Sequence, residues 1–178
     1  SYCEESVIKN INFNLIFFKS LNNSILSKII YRPYPNHKLK DLMFYSKEFY
    51  YKKNNIELNT NSLKIDSDKQ IRNAKLVIHD YISTSYLESL MLNIPTVFFF
   101  NQQSSFLNDE HKDFFKPLID CKICHTDPKL ASEFINEIFL DPEKWWKSKI
   151  VQDAKNMFLK INLNKSAKMF NYLINISK

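Results

Sequence analysis

The chain has 178 residues, 44% apolar and 15% aromatic, with 25 Lys plus Arg against 19 Asp plus Glu for a net charge of +6. That length and apolar fraction suit one globular domain with a single core and exclude a disordered chain. The absence of glycine excludes the G-x-G-x-x-G dinucleotide fingerprint and the G-x-x-x-x-G-K-[ST] phosphate loop, both of which need glycine where backbone approaches phosphate.

Any phosphate site here must therefore be built from hydroxyls, helix N-terminal amides and basic side chains. The lysines are scattered along the chain instead of gathered in a block or a single recognition helix, so the positive charge reads as a solvated surface and no nucleic-acid partner is expected. No apolar run approaches the roughly 18 residues of a membrane helix, and the start SYCEES lacks a signal-peptide pattern. The expected location is the cytoplasm, with a peripheral association with the inner face of the membrane left open. The first residue is not methionine, which suggests a piece excised from something longer.

In chain order, residues 7–21 carry apolar side chains at 8, 11, 15 and 18, a helical spacing that outweighs the short alternation in NINFNLIFF. Residues 28–34 read as a buried strand tipped by Arg32, and Pro33 and Pro35 hold the chain extended beyond it. Arg32, with His37 nearby, could offer paired donors to a diphosphate, or could simply pair with a surface acid. A helix over 39–51 is expected to turn Leu42, Tyr45 and Phe49 inward. Asn54-Asn55 then makes a turn, 56–58 a short edge strand, and 66–73 a brief helix capped by Asp66 or Ser67.

Residues 75–100, KLVIHDYISTSYLESLMLNIPTVFFF, form the centre of the pattern. The strand 75–79 ends in His79-Asp80, and 96–100 is a second strand rich in β-branched and aromatic residues. Between them Ser85-Tyr86-Leu87-Glu88 fits a capping box with Ser85 as N-cap, and the helix must end before Pro95 with Leu87, Leu90 and Met91 on one face. In a βαβ unit the strand carboxyl ends and the helix amino end share one edge, where ligands bind. His79, Asp80, Ser83, Thr84, Ser85 and Glu88 fall on that edge, with helix amides and hydroxyls suited to an anion. Glu88 can close the capping box or accept from a sugar diol, and the two roles are compatible.

After Phe100 a polar loop leads into a helix within 101–118, with Asn101 and Gln102 as minor candidates for touching a base or sugar. Glu110 and His111 are adjacent, about 100° apart on a helix, and read as solvated surface more readily than as an acid/base pair. Cys121-Lys122-Ile123-Cys124-His125 matches the C-x-x-C-H haem signature, but no export signal accompanies it and a fifth strand is expected at 121–124, where residues three apart would face opposite ways. Two reduced thiols are the default reading. Thr126-Asp127-Pro128 starts a helix to about 139, Asp141-Pro142-Glu143 starts another bearing Trp145 and Trp146, and 165–176 closes the chain as a helix.

The string HDY-x-STS-x-x-E at 79–88, followed by NIPT and an aromatic strand, resembles the donor-binding segment of a bacterial surface-carbohydrate biosynthesis transferase family related to the C-terminal half of GT-B glycosyltransferases. It is similar also to the segment found in glycerol-phosphate polymer transferases. The resemblance runs from the first helix through IIYRPYP at 29–35 to DPEKWW at 141–146.

It implies an α/β, Rossmann-like three-layer fold: a parallel sheet of about five strands near 28–34, 56–58, 75–79, 96–100 and 121–124, with helices on both faces. It also implies a nucleotide-activated sugar or related donor as ligand, held without metal or other cofactor. On that basis Arg32 takes the phosphate, Ser83, Thr84 and Ser85 the phosphate oxygens, Glu88 the ribose, and His79 and Asp80 orient the donor, while the paired tryptophans are scaffold. A complete enzyme of this kind needs a second, acceptor-binding half, which 178 residues cannot hold. The whole of 1–178 is thus expected to be one nucleotide-sugar-binding domain, the donor half of a longer transferase and inactive without its other half. The rival reading is a non-catalytic module that binds an anion or a protein partner.

Overall fold

The computed structural model describes residues 2–32, 47–59, 66–82, 84–101 and 109–161. Helices lie at Tyr2–Ser20 (α1), Asn23–Leu26 (α2), Lys47–Lys53 (α3), Ser67–Asn73 (α4), Thr84–Met91 (α5), Asp109–Asp120 (α6), Pro128–Ile138 (α7), Pro142–Trp146 (α8) and residues 149–161 (α9). Strands lie at Val77–His79 (β1), Thr96–Phe99 (β2) and Cys124–His125 (β3), and they form a parallel sheet in that order. Parallel neighbours need crossovers, and α5 and α6 supply them.

β2 shows how the layers are made. All of its residues are buried, and the side chains alternate between faces. Val97 and Phe99 join the core formed with α1 and α7, where Phe99 stacks on Phe17 at 4.4 Å. Phe98 and Phe100 join the other core, formed with α5, α6, α8 and α9, where Phe98 stacks on Tyr86 at 4.7 Å. The expected α/β sandwich of a parallel sheet between helices is present.

The expected five strands are not: among the described residues the sheet has three, and residues 30 and 59 contribute only an isolated parallel bridge. The reason lies in the amides. The turn that ends α2 uses the N–H groups of Lys28 and Ile29, bonded to Ile25 and Leu26, and Pro33 has none to give. The Tyr31 amide reaches across, to the Asn59 carbonyl, and Ile30 is exposed rather than buried. At the other end, Cys121 and Lys122 are bonded back to Pro117 and Ile119 in the turn that leaves α6, so β3 starts at Cys124 and not at 121.

Other expectations shift in smaller ways. In α1 Ile11, Leu15 and Phe18 are buried as expected, but Ile8 is exposed. Phe49 is exposed and Tyr51 buried instead, while 39–46 lie outside the described residues, as does the helix expected at 165–176. In α5 the buried stripe is Tyr86, Ser89 and Leu90, with Met91 exposed. The caps at Asp127 and Asp141 form as expected, each accepting from amides in the first turn of its helix. No sequence expectation covered α9, although Val151, Ala154, Lys155 and Phe158 repeat at helical spacing. Among the described residues no helix is long and apolar enough to cross a membrane.

Without glycine, the chain enters the left-handed region at Asn55, Asn93 and Lys122, with φ of 60°, 56° and 65°. Asn55 and Asn93 each close a Schellman motif: Ile56 N–H bonds Tyr51 C=O after α3, and Ile94 N–H bonds Ser89 C=O after α5. Asparagine tolerates this backbone better than other residues with a Cβ. Asn93 does more, because its carbonyl and side-chain oxygens accept from Trp146 Nε1, and its side chain also accepts from the buried Lys155.

Candidate functional site

His79 closes β1 and Asp80 follows it, so their side chains leave opposite faces at the carboxyl end of the sheet. Register aligns His79 with Phe98 and, through it, with Cys124, on the face covered by α5. There His79 Nε2 lies 3.0 Å from Ser89 Oγ, and Nδ1 lies 3.3 Å from Ser85 Oγ. Ser89 Oγ gives its single hydrogen to the Ser85 carbonyl, at 3.1 Å. It must then accept from His79, which fixes the Nε2–H tautomer and leaves Nδ1 as acceptor for the Ser85 hydroxyl. Burial holds the imidazole neutral, lowering its pKa to about 4 against the opposing pull of Asp80.

The helix start explains why Ser85 is available for this. α5 begins at Thr84, one residue before the expected cap, so Ser85 lies inside the first turn and its hydroxyl meets His79. Ser85 is therefore not the N-cap of a box closed by Glu88. Glu88 is exposed on the outer side of α5, and its carbonyl accepts from Leu92. Thr84 is exposed in the first turn, where free amides and the helix dipole favour negative charge. Ser83, His37 and Gln102 lie outside the described residues.

Asp80 faces the other way. Its Oδ2 accepts from Asn14 Nδ2 of α1 at 2.6 Å and from Lys47 Nζ of α3 at 2.9 Å. Asn14 also donates to the Tyr51 hydroxyl at 3.0 Å, while its own Oδ1 is buried without a partner among the described residues. An orphaned buried acceptor costs about 1–3 kcal/mol, so the orientation of this amide is held by what its nitrogen does for Asp80 and Tyr51.

The structure thus gathers His79, Ser85 and Ser89 in one network and Asp80, Asn14, Lys47 and Tyr51 in another, with β1 between them. Arg32 is engaged elsewhere, its Nη1 donating to Gln70 of α4 at 2.9 Å. Asn14, Lys47, Tyr51 and Ser89 were not among the expected site residues. Two of them leave a trace in the sequence: Asn14 is a polar residue inside the apolar stripe of α1, and Ser89 lies one helical turn after Ser85.

The C-x-x-C-H segment packs into the core. Lys122 turns with positive φ, so Cys121 and Cys124 both join the same core, as free thiols. Burial pushes both thiols up, away from the reactive thiolate. His125 donates to the Lys122 carbonyl and packs on Phe134, and burial lowers its pKa to about 4. Among the described residues no three of His, Cys, Asp and Glu gather where a metal ion could be held. A shallow cavity of about 270 Å³ opens at the amino end of β3, lined by Cys121, Lys122, Phe134, Glu137 and Trp145. It lies at the edge away from His79 and Asp80, and parallel α/β sheets bind ligands at the carboxyl edge.

Comparison with curated proteins and with solved structures gives no match. The model of one family, described as the LIC12162 family transferase, matches residues 3–176, from the start of α1 to beyond α9. The chain belongs to this transferase family.

Proposed function

We propose that the chain is the donor-binding domain of a glycosyltransferase-like enzyme of GT-B type, moving a sugar or glycerol-phosphate-type group from a nucleotide-activated donor in surface polysaccharide biosynthesis. The observation that carries this reading is the hydroxyl and imidazole network of His79, Ser85 and Ser89 where a parallel strand ends and a helix begins, within a chain of a transferase family. In a sugar transfer the bond from the donor carbon to the phosphate oxygen breaks and the acceptor oxygen bonds to that carbon. In a glycerol-phosphate transfer the phosphorus–oxygen bond of the diphosphate bridge breaks and the acceptor oxygen bonds to phosphorus. In both the electron pair leaves on the nucleotide and the acceptor gives up its proton. The donor half contributes by stabilising the charge that develops on the leaving phosphate. Amides and hydroxyls at the start of α5, with a basic side chain, serve that role, and the neutral His79 orients donors instead of adding charge. Ser83, Thr84 and Ser85 then contact phosphate oxygens, Arg32 adds a guanidinium, Glu88 accepts from the ribose, and an acceptor-binding half completes the enzyme at the inner face of the membrane.

Titration of the chain with CMP, CDP and UDP tests this. Binding of at least one of them, weakened tenfold or more by Ser83→Ala and by Glu88→Ala, is the expected result. Failure of all three to bind, or affinities indifferent to both substitutions, would reject the donor-domain reading in favour of a non-catalytic module.

A further inference from the structure

We propose that Lys47, tethered by Asp80 at the carboxyl end of β1, is a second cation, besides Arg32, that receives the ligand's phosphate, and that Asn14 is the positioning residue that sets this tether. The class of ligand rests on the transferase reading above; the cation site itself rests on the contacts.

A phosphate at this edge needs a positive partner, and the two ionisable side chains at the end of β1 do not supply one. His79 is neutral above about pH 4, and Asp80 is acidic. Arg32 reaches Gln70 of α4. Lys47 comes from α3, far away in sequence, yet its ammonium lies 2.9 Å from Asp80 Oδ2, the residue next to His79. The pair is partly open to solvent, with side-chain exposures of 30% for Lys47 and 25% for Asp80. An ammonium has three N–H donors, and the tether uses one of them. The others can turn to a ligand while Asp80 keeps hold of the side chain, which limits the entropy lost when a long lysine is fixed on binding.

The second observation is Asn14. It is only 1% exposed, on a stripe otherwise made of Ile11, Leu15 and Phe18, and its Oδ1 has no partner among the described residues. A leucine there would fill the same space without orphaning an oxygen. The asparagine is instead turned so that its nitrogen joins Asp80 to Tyr51. Unsatisfied buried groups in folded proteins call for an explanation in function or strain, and holding Asp80 where it can hold Lys47 is one that fits these contacts.

The test uses inorganic pyrophosphate as the probe, titrated calorimetrically into the 178-residue chain at low ionic strength. The wild-type chain is expected to bind it, Lys47→Ala to weaken binding at least tenfold, and Lys47→Arg to restore most of the loss. A partly exposed ion pair contributes little to stability, so Lys47→Ala should leave the melting temperature almost unchanged. Asn14→Leu is expected to weaken pyrophosphate binding severalfold while the melting temperature holds or rises, a combination that a merely structural asparagine would not give. No pyrophosphate binding by the wild-type chain, or equal binding by Lys47→Ala, would overturn the proposal. The nucleotide reading fails separately: if CDP and UDP bind no more tightly than pyrophosphate while Lys47→Ala still loses its tenfold, the Lys47 site stands and the donor is not a nucleotide.

Discussion

His79 and Asp80 are neighbours on one strand, and they end in different company. His79 turns to α5, where two serine hydroxyls fix an uncharged ring. Asp80 turns to α1 and α3, where an amide and an ammonium meet on one carboxylate oxygen. The difference follows from strand alternation: consecutive residues at a strand end are delivered to opposite helical layers. One layer supplies hydroxyls and a helix start, the other supplies charge. A site built this way draws on both layers, although only one of them is encoded beside the strand in sequence.

The largest way to break the comparison is to remove the ring that anchors each layer. Phe98→Ala cuts away the stack on Tyr86 of α5, and Phe99→Ala the stack on Phe17 of α1. Each should cost about 3–5 kcal/mol in urea unfolding. At protein concentrations and temperatures where both variants remain folded, Phe99→Ala should weaken pyrophosphate binding more than Phe98→Ala, because α1 carries Asn14.

Acid should separate the two halves next. The fold keeps His79 and His125 neutral down to about pH 4, whereas both protonate near 6.5 once unfolded. Between those values the unfolded chain binds more protons, so stability is fully present above about pH 6.5 and falls as pH is lowered towards 4. Each histidine should account for about 3 kcal/mol of that fall. His79→Gln and His125→Gln should each flatten the pH dependence of unfolding, with stability followed by urea titration from pH 7 to 4. An unchanged slope in His79→Gln would mean that its ring is not held neutral by the α5 layer.

The smallest effects concern the helix ends. Asn55→Gly should change stability by no more than a few tenths of a kcal/mol, because glycine accepts the same left-handed backbone. Asn93→Gly keeps that backbone but removes the oxygen that accepts from Lys155 and Trp146, and should cost about 1–2 kcal/mol. Thermal melts of the two variants side by side would show whether Asn93 is a cap alone or also the joint between α5 and the α8–α9 layer.

Much of this was legible in the sequence where signals are local. The β1–α5–β2 unit follows from two apolar runs, a hydroxyl-rich turn and Pro95, and the starts of α7 and α8 from Asp-Pro pairs. The same local pattern puts His79 at the end of β1 and Ser85 in the first turn of α5, where they lie. The five-strand sheet failed in part because an apolar run such as 28–34 does not reveal that its first two amides, of Lys28 and Ile29, are already used by the turn behind it. The capping box failed because the helix starts at Thr84, two residues before the expected Tyr86, which was enough to move the Ser85 hydroxyl from a cap to an imidazole. Lys47 and Tyr51 were out of reach because their roles depend on α3 folding against a strand that lies some 30 residues further along the chain.

The most direct test of the central claim is a map of amide chemical-shift changes in the isotope-labelled chain as CDP or UDP is added. The account predicts that the changes cluster at residues 79–90 and around Asn14 and Lys47, at the carboxyl edge of the sheet. Changes confined to residues 120–123 and 137–151, around the cavity at the amino end of β3, or no changes at all, would contradict it.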